Sequence, residues 1–239
     1  LRKNRTNIAL GLLLLATACL YAFSTQKNAK RIVGDPRVVF HGDENLYIAR
    51  ETVSKLLIQN YSSVKNTSKE TLDLNTLETA LNSNPMIKSA EVYLSVNGAL
   101  TAEVVQKKPI ARVQTQTSYY IDDQGGYMPL SPNYTARVPL VTGQVSKKNL
   151  ETVFKIAQKV TQDTFLKEHV VEIHQTKNQD ILLSLRGHAF VVQLGGLEQL
   201  DKKINNLKAF YKIGLKAKTL NDYKTINLKF DSQVVCTKA

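Results

Sequence analysis

The sequence predicts an α+β chain in three parts: a single N-terminal transmembrane helix, a small β-α-α-β-β domain, and a mixed, mainly antiparallel β domain with flanking helices. Three observations predict it. The run Ile8 to Phe23 carries no charge. Two helical stripes then lead into two alternating runs about Gly98, and beyond Pro109 short strand-like runs outnumber helical ones. A chain of 239 residues is long enough for two small domains with separate cores.

The sixteen uncharged residues from Ile8 to Phe23 follow the basic start LRKNRTN. As a helix they span roughly 24 Å, slightly under a bilayer's hydrocarbon thickness of ~30 Å, and Tyr21 and the following lysines fit the interface. The boundaries expected are residues 1–7 as a cytoplasmic remnant, 8–24 as the transmembrane helix and 25–34 as a linker. The small domain then covers 35–106 and the β domain 107–239. Ala16-Thr17-Ala18 also fits a small-x-small cleavage pattern, and Cys19 a lipidated start, so a cleaved signal and a lipoprotein remain alternatives. Cys19 and Cys236 lie too far apart in context to read as a disulfide framework. The formal charge of +12 comes from scattered lysines without a long basic run, which argues against a groove for nucleic acid.

RVVF reads as the first strand of the small domain. Ile48, Val53, Leu56, Leu57 and Tyr61 mark a helix, SSVKNTSKET a polar loop, and Leu74, Leu77 and Leu81 a second helix with Asn75 and Glu78 as its capping box. Asn84-Pro85 stops that helix. Pairing Val96 with Leu100, Leu94 with Ala102 and Val92 with Val104 keeps one face apolar, so the connection near Gly98 should hold an odd number of residues. A two-residue Asn97-Gly98 turn would mix the faces. Lys107-Lys108-Pro109 marks the domain boundary.

In the second domain IARVQ and SYYIDD are strands joined to YMPLSP through Gln124-Gly125-Gly126. Pro139-Leu140-Val141 leads to a helix carrying Leu150, Val153, Ala157 and Val160. VVEIHQ, ILLSLRG and HAFVVQLGG supply strands, Leu197 to Tyr211 an amphipathic helix, and TINLKF and QVVC the closing strands, at least one of them a candidate sheet edge.

Reactive groups do not assemble into a known pattern. His41, His169, His174 and His188 lack metal-ligand spacing, as does Cys236. Asp122 and Asp123 before Gly125-Gly126 read as a hairpin tip in which Asp and Gly satisfy and relax the backbone. Ser131, Ser184 and Ser232 have no Gly-x-Ser-x-Gly setting, and Gly195-Gly196 lacks phosphate-binding spacing. No catalytic residue, metal, cofactor or small-molecule substrate is therefore expected. An unpaired strand edge that accepts a partner strand fits better than turnover.

The order of these parts resembles the bacterial division protein family FtsQ, or DivIB. The small domain is similar to a POTRA module: the Leu74 to Leu81 helix meets Asn84-Pro85, the strand through Val92 follows, and the exit is Lys108-Pro109-Ile110-Ala111. Tyr120 to Gly125 and Val138-Pro139-Leu140-Val141-Thr142-Gly143 match two markers of the family's second domain. The resemblance implies a non-enzymatic divisome scaffold that binds FtsB and FtsL and helps recruit or regulate septal peptidoglycan synthesis by FtsW and FtsI. It also implies a single-pass inner-membrane protein at the septum, with a cytoplasmic N-terminus and its bulk in the periplasm. The family's FtsB contact maps onto Lys229, Phe230, Ser232, Gln233, Val234 and Val235, with Phe230 at an aromatic anchor position; a Trp near the family's end is absent, and Lys238 lies about there. Rival readings are a POTRA-containing envelope assembly or secretion component, a peptidoglycan-processing enzyme, and a secreted binding lipoprotein. The first would show several repeats or a long barrel region, and the second a cleft with convergent acids or a nucleophile.

Overall fold

The computed structural model describes residues 2–29, 36–42, 45–62, 73–95, 99–147, 149–231 and 233–239. The polar loop over 62–71, the second half of the expected 25–34 linker, the Asn97-Gly98 turn and Ser232 fall wholly or largely outside them. The chain divides into two compact units, Leu1–Gln106 and Lys107–Ala239.

The first unit opens with α1 (Arg2–Ala29), which runs past the expected end at residue 24. Among the described residues no helix is long and apolar enough to cross a membrane. This corrects the expected transmembrane helix, and with it the single-pass inner-membrane placement. The physical reason is length: the apolar run Ile8 to Phe23 holds sixteen residues, whereas about 20 are needed, and the flanks of the helix are polar or basic, with Arg2, Lys3, Arg5 and Lys27.

β1 (Arg37–His41), α2 (Arg50–Ser62), α3 (Leu74–Asn82), β2 (Ile87–Leu94) and β3 (Leu100–Gln106) follow. They form a three-stranded sheet in the order β1-β3-β2, with β1 parallel and β2 antiparallel to β3. Val53, Leu57, Leu77 and Leu81 of the helices pack on Ala90, Val92, Ala102 and Val104 of the sheet. The apolar set shares one face, as alternation requires, but the register is two residues from expectation: Leu94 faces Leu100, Val92 faces Ala102 and Ala90 faces Val104. The connection therefore holds five residues, still an odd number, and Ser95 N–H closes it on Ala99 O at 2.9 Å. The expected capping box is also corrected, because Asp73 caps α3 by accepting from Thr76 N–H. Gln106 braces the entry to α2: its side-chain oxygen accepts from Tyr47 N–H and Ile48 N–H, and its amide donates to Ile48 O.

One edge of this sheet is already occupied. The Asn82 side chain donates to Ala90 O at 3.2 Å and accepts from Ala90 N–H at 2.8 Å, while Glu78 accepts from Val92 N–H. Side chains of α3 thus take hydrogen-bonding positions that a strand beside β2 would use.

The second unit contains β4 (Pro109–Gln114), β5 (Ser118–Asp122), β6 (Tyr127–Met128), β7 (Leu140–Gly143), α4 (Glu151–Gln162), α5 (Thr164–His169), β8 (Val170–Gln175), β9 (Ile181–Leu185), β10 (Val191–Gly195), α6 (Leu200–Ala217), β11 (Tyr223–Asn227) and β12 (Val235–Lys238). Its nine strands form one mixed sheet in the order β12-β11-β10-β9-β8-β7-β4-β5-β6. The helices cover one face, where Val153, Ile156 and Leu207 meet Val113, Ile173 and Val192.

α6 begins three residues later than its stripe suggests, because Gln199 before it takes a left-handed conformation with φ 50°. It continues to Ala217 and ends on Lys218, also left-handed, whose N–H bonds Gly214 O and Leu215 O.

The α4–α5 junction depends on Asp163, which ends one helix and caps the next by accepting from Leu166 N–H, and pairs with Lys208 of α6. Burial pushes its carboxyl pKa up, but the Lys208 and Leu166 hydrogen bonds and the Lys208 and Lys159 charges outweigh that and hold it below the ordinary value. A depressed folded pKa contributes stability that is fully present above the unfolded value of ~3.9 and lost as pH falls through the folded one. Asp163→Ala is expected to cost about 1–2 kcal/mol at neutral pH. Part of this difference should vanish in acid, as read by thermal melting at both pH values.

Candidate functional site

One of the two margins of the large sheet, opposite the two-residue β6, is β12. It pairs antiparallel with β11, Thr225 facing Thr237, Ile226 facing Cys236 and Asn227 facing Val235. No described strand lies on its other side. Ala239 N–H reaches back to Asp222 O at 2.9 Å, so Ala239 directs its backbone inward. By the two-residue alternation of an antiparallel ladder, Thr237 and Val235 also face inward, and Cys236 and Lys238 turn N–H and C=O toward the open side. The Cys236 side chain packs partly on the core, and burial pushes its thiol pKa up.

Of the six residues assigned to partner binding, Lys229, Phe230, Gln233 and Val234 lie on the connection between β11 and β12 and Val235 opens β12, while Ser232 lies outside the described residues. Leu228 N–H bonds Gln193 O at 2.9 Å and its side chain is buried, which continues the β10–β11 contact one residue past the strand. Lys229 N–H then bonds Asn227 Oδ1, breaking the ladder, while the Lys229 ammonium pairs with Asp180. The stem of Lys229 runs over Gly195, where an added Cβ would meet Lys229 Cγ at 3.0 Å. Phe230 is 48% exposed and Val235 39% exposed. Gln233 is exposed, whereas Val234 packs partly against the core. The structure thus brings Phe230, Gln233 and Val235 to the surface around the open edge and turns Val234 inward. Sequence patterning did not single out Cys236 and Lys238, whose backbones supply the outward groups, because the strand starts at Val235 and not at Gln233.

The other polar groups have structural work. Thr142 accepts from His174 Nδ1–H at 2.8 Å and donates to Glu172 at 2.7 Å, and Ser184 donates to the second Glu172 oxygen at 3.1 Å. This chain ties β7, β8 and β9 together. His169 Nδ1–H donates to Phe165 O, and His188 lies 3.0 Å from the Tyr211 hydroxyl. No group of three or more His, Cys, Asp or Glu side chains that could hold a metal ion occurs among the described residues.

A family model described as FtsQ/DivIB, C-terminal related, matches residues 108–237, more than half of the chain. The chain belongs to the FtsQ/DivIB family. A POTRA-like domain model matches residues 38–105, all but the first residue of β1 and the last of β3 in that module. The chain is similar to the cell division protein FtsQ of Salinibacter ruber, 27% identical over 168 residues that make up 64% of this chain and 64% of that protein. It is also similar to the FtsQ of Geotalea daltonii, 23% identical over 154 residues, 59% of this chain and 55% of that protein. The chain thus spans between about half and two thirds of these curated relatives.

Proposed function

We propose that this chain is a divisome scaffold that binds FtsB and FtsL, and through them helps recruit or regulate septal peptidoglycan synthesis by FtsW and FtsI. The observation that carries this reading is the open outer edge of β12 beside the exposed Phe230. An extended FtsB segment pairs with the outward groups of Cys236 and Lys238, and its side chains select against Phe230 and Val235. Main-chain hydrogen bonds supply the affinity and the flanking anchors the specificity.

Two variants test it against an FtsB peptide from the same organism. Phe230→Ala is expected to weaken binding by about 1–3 kcal/mol with unchanged domain melting, because the ring is half exposed and not part of the core. Lys238→Pro deletes one outward N–H and spares the ladder with β11, so affinity should fall about tenfold or more while the fold persists. Unchanged affinity in both variants would remove β12 as the docking edge.

A further inference from the structure

We infer that a cavity at the C-terminal ends of β4 and β7, in the other half of the sheet from β12, is a second binding site, one that takes the carboxylate of an acidic peptide residue. β4 and β7 lie side by side and run parallel. The chain leaves them in opposite directions: β4 turns into β5 on one side, whereas β7 leads through α4 and α5 to β8 on the other. Where parallel neighbours send their connections apart, a crevice opens beyond their carboxyl ends. Here that crevice is a cavity of about 500 Å³ between residues 115–117 of the β4–β5 tip and residues 143–147 after β7.

Tyr119 and Lys147 give the cavity its chemistry. Tyr119 lines it and is only 1% exposed, yet its buried hydroxyl has no hydrogen-bond partner among the described residues. A buried hydroxyl left unmet is costly, and an acceptor entering the cavity relieves that cost. Burial, and then the neighbouring Tyr127, push its pKa up, so the group stays a neutral donor. The Lys147 ammonium lies over the rings of Tyr119 and Tyr127, 5.1 and 4.5 Å from their centroids, and pairs with no carboxylate of a described residue. Its side chain is exposed and long enough to leave the rings for an entering anion. Among the described residues no acidic side chain lines the cavity. A charged donor and a buried neutral one, with no opposing acid, select an anion. A single lysine suits a monoanion, and the Thr115 and Gln144 N–H groups, already bonded to Thr117 O and Gln175 O, cannot build a phosphate nest. The side-chain amides of Gln116 and Gln144 stand on the two walls without a hydrogen bond to any described residue, and they match the amide groups that flank a carboxylate in a peptide.

The test is an NMR titration of the full chain with acetyl-glutamate methylamide, its neutral glutamine counterpart and inorganic phosphate. The glutamate probe alone is expected to shift the Thr117 and Gln144 amides saturably. Tyr119→Phe removes only the hydroxyl and should weaken that binding about tenfold, with melting unchanged or raised. Lys147→Met should weaken it about three- to fivefold and flatten its salt dependence. Equal binding of the glutamine probe, or no saturable shift with any probe, would overturn the inference. So would parent-like affinity in Tyr119→Phe with lowered melting, which would show an ordered water holding the hydroxyl. Phosphate binding that needs Lys147 but not Tyr119 would reduce the site to a surface counter-ion and overturn it too. Phe230→Ala and Lys238→Pro are expected to leave this titration unchanged, so its failure leaves strand addition at β12 standing.

Discussion

Gly143→Ala is expected to destabilise the C-terminal domain by about 3–5 kcal/mol, combining left-handed strain in a non-glycine residue with a backbone clash at a half-buried strand end. Gly143 has φ +89°, and a Cβ built on it would lie 2.1 Å from Gln175 O and 3.0 Å from His174 Cε1. The nearer obstacle is backbone, and it is already committed, because Gln144 N–H bonds the same carbonyl at 2.8 Å. Neither rotamer change nor trimming of the imidazole can relieve it. The double variant Gly143→Ala/His174→Ala should therefore remain at least as unstable as Gly143→Ala. Denaturant unfolding followed by amide exchange in β7 and β8 reads the effect on this domain alone. A loss below about 1 kcal/mol would show that the strand end relaxes freely.

The same residue shows what was legible in the sequence. Val138-Pro139-Leu140-Val141-Thr142-Gly143 was readable as a family marker, but its physical content, a strand that ends against a neighbouring carbonyl, needs the β7–β8 pairing to be seen. Alternation located β2 and β3 and put their apolar residues on one face, because a one-residue slip is costly. A two-residue slip leaves the faces intact, so patterning alone could not separate the Val92–Val104 pairing from the observed Val92–Ala102 pairing. Hydropathy overreached at the N-terminus, where sixteen uncharged residues fell short of what a crossing needs.

At the candidate site the reach of the sequence was uneven for a related reason. Phe230 and Val235 were reached only through the family resemblance, and both are surface residues in the fold. The outward backbone groups of Cys236 and Lys238 depend on where β12 begins, at Val235, eight residues after β11 ends and the Asn227 side chain accepts from Lys229 N–H, and side-chain alternation alone does not fix that start. Ile213 lies past the Tyr211 end expected for this helix and off the Ile204–Leu207–Tyr211 stripe, and it is exposed.

Asp122→Ala is expected to cost the same domain about 3–5 kcal/mol, because it strands a lysine and two backbone donors at once. Asp122 is 2% exposed and pairs with Lys107 at 2.8 Å. Its Oδ1 accepts from Gln124 N–H at 2.9 Å and Gly126 N–H at 2.7 Å, while Lys107 also donates to Tyr127 O. The sequence suggested a turn in which Asp satisfies the backbone, and the ion pair adds a second function: it fastens the first residue of the domain to the β5–β6 turn. Asp122→Asn separates the two contributions, since the amide oxygen still accepts from both N–H groups but carries no charge for Lys107. If backbone satisfaction dominates, Asn should recover most of the loss, leaving a deficit of about 1–2 kcal/mol. If Asn is as damaging as Ala, the buried charge pair holds the turn and the local hydrogen bonds are secondary. Amide exchange at Gln124 and Gly126 in both variants distinguishes the cases, because those N–H groups stay protected only while an acceptor remains at position 122.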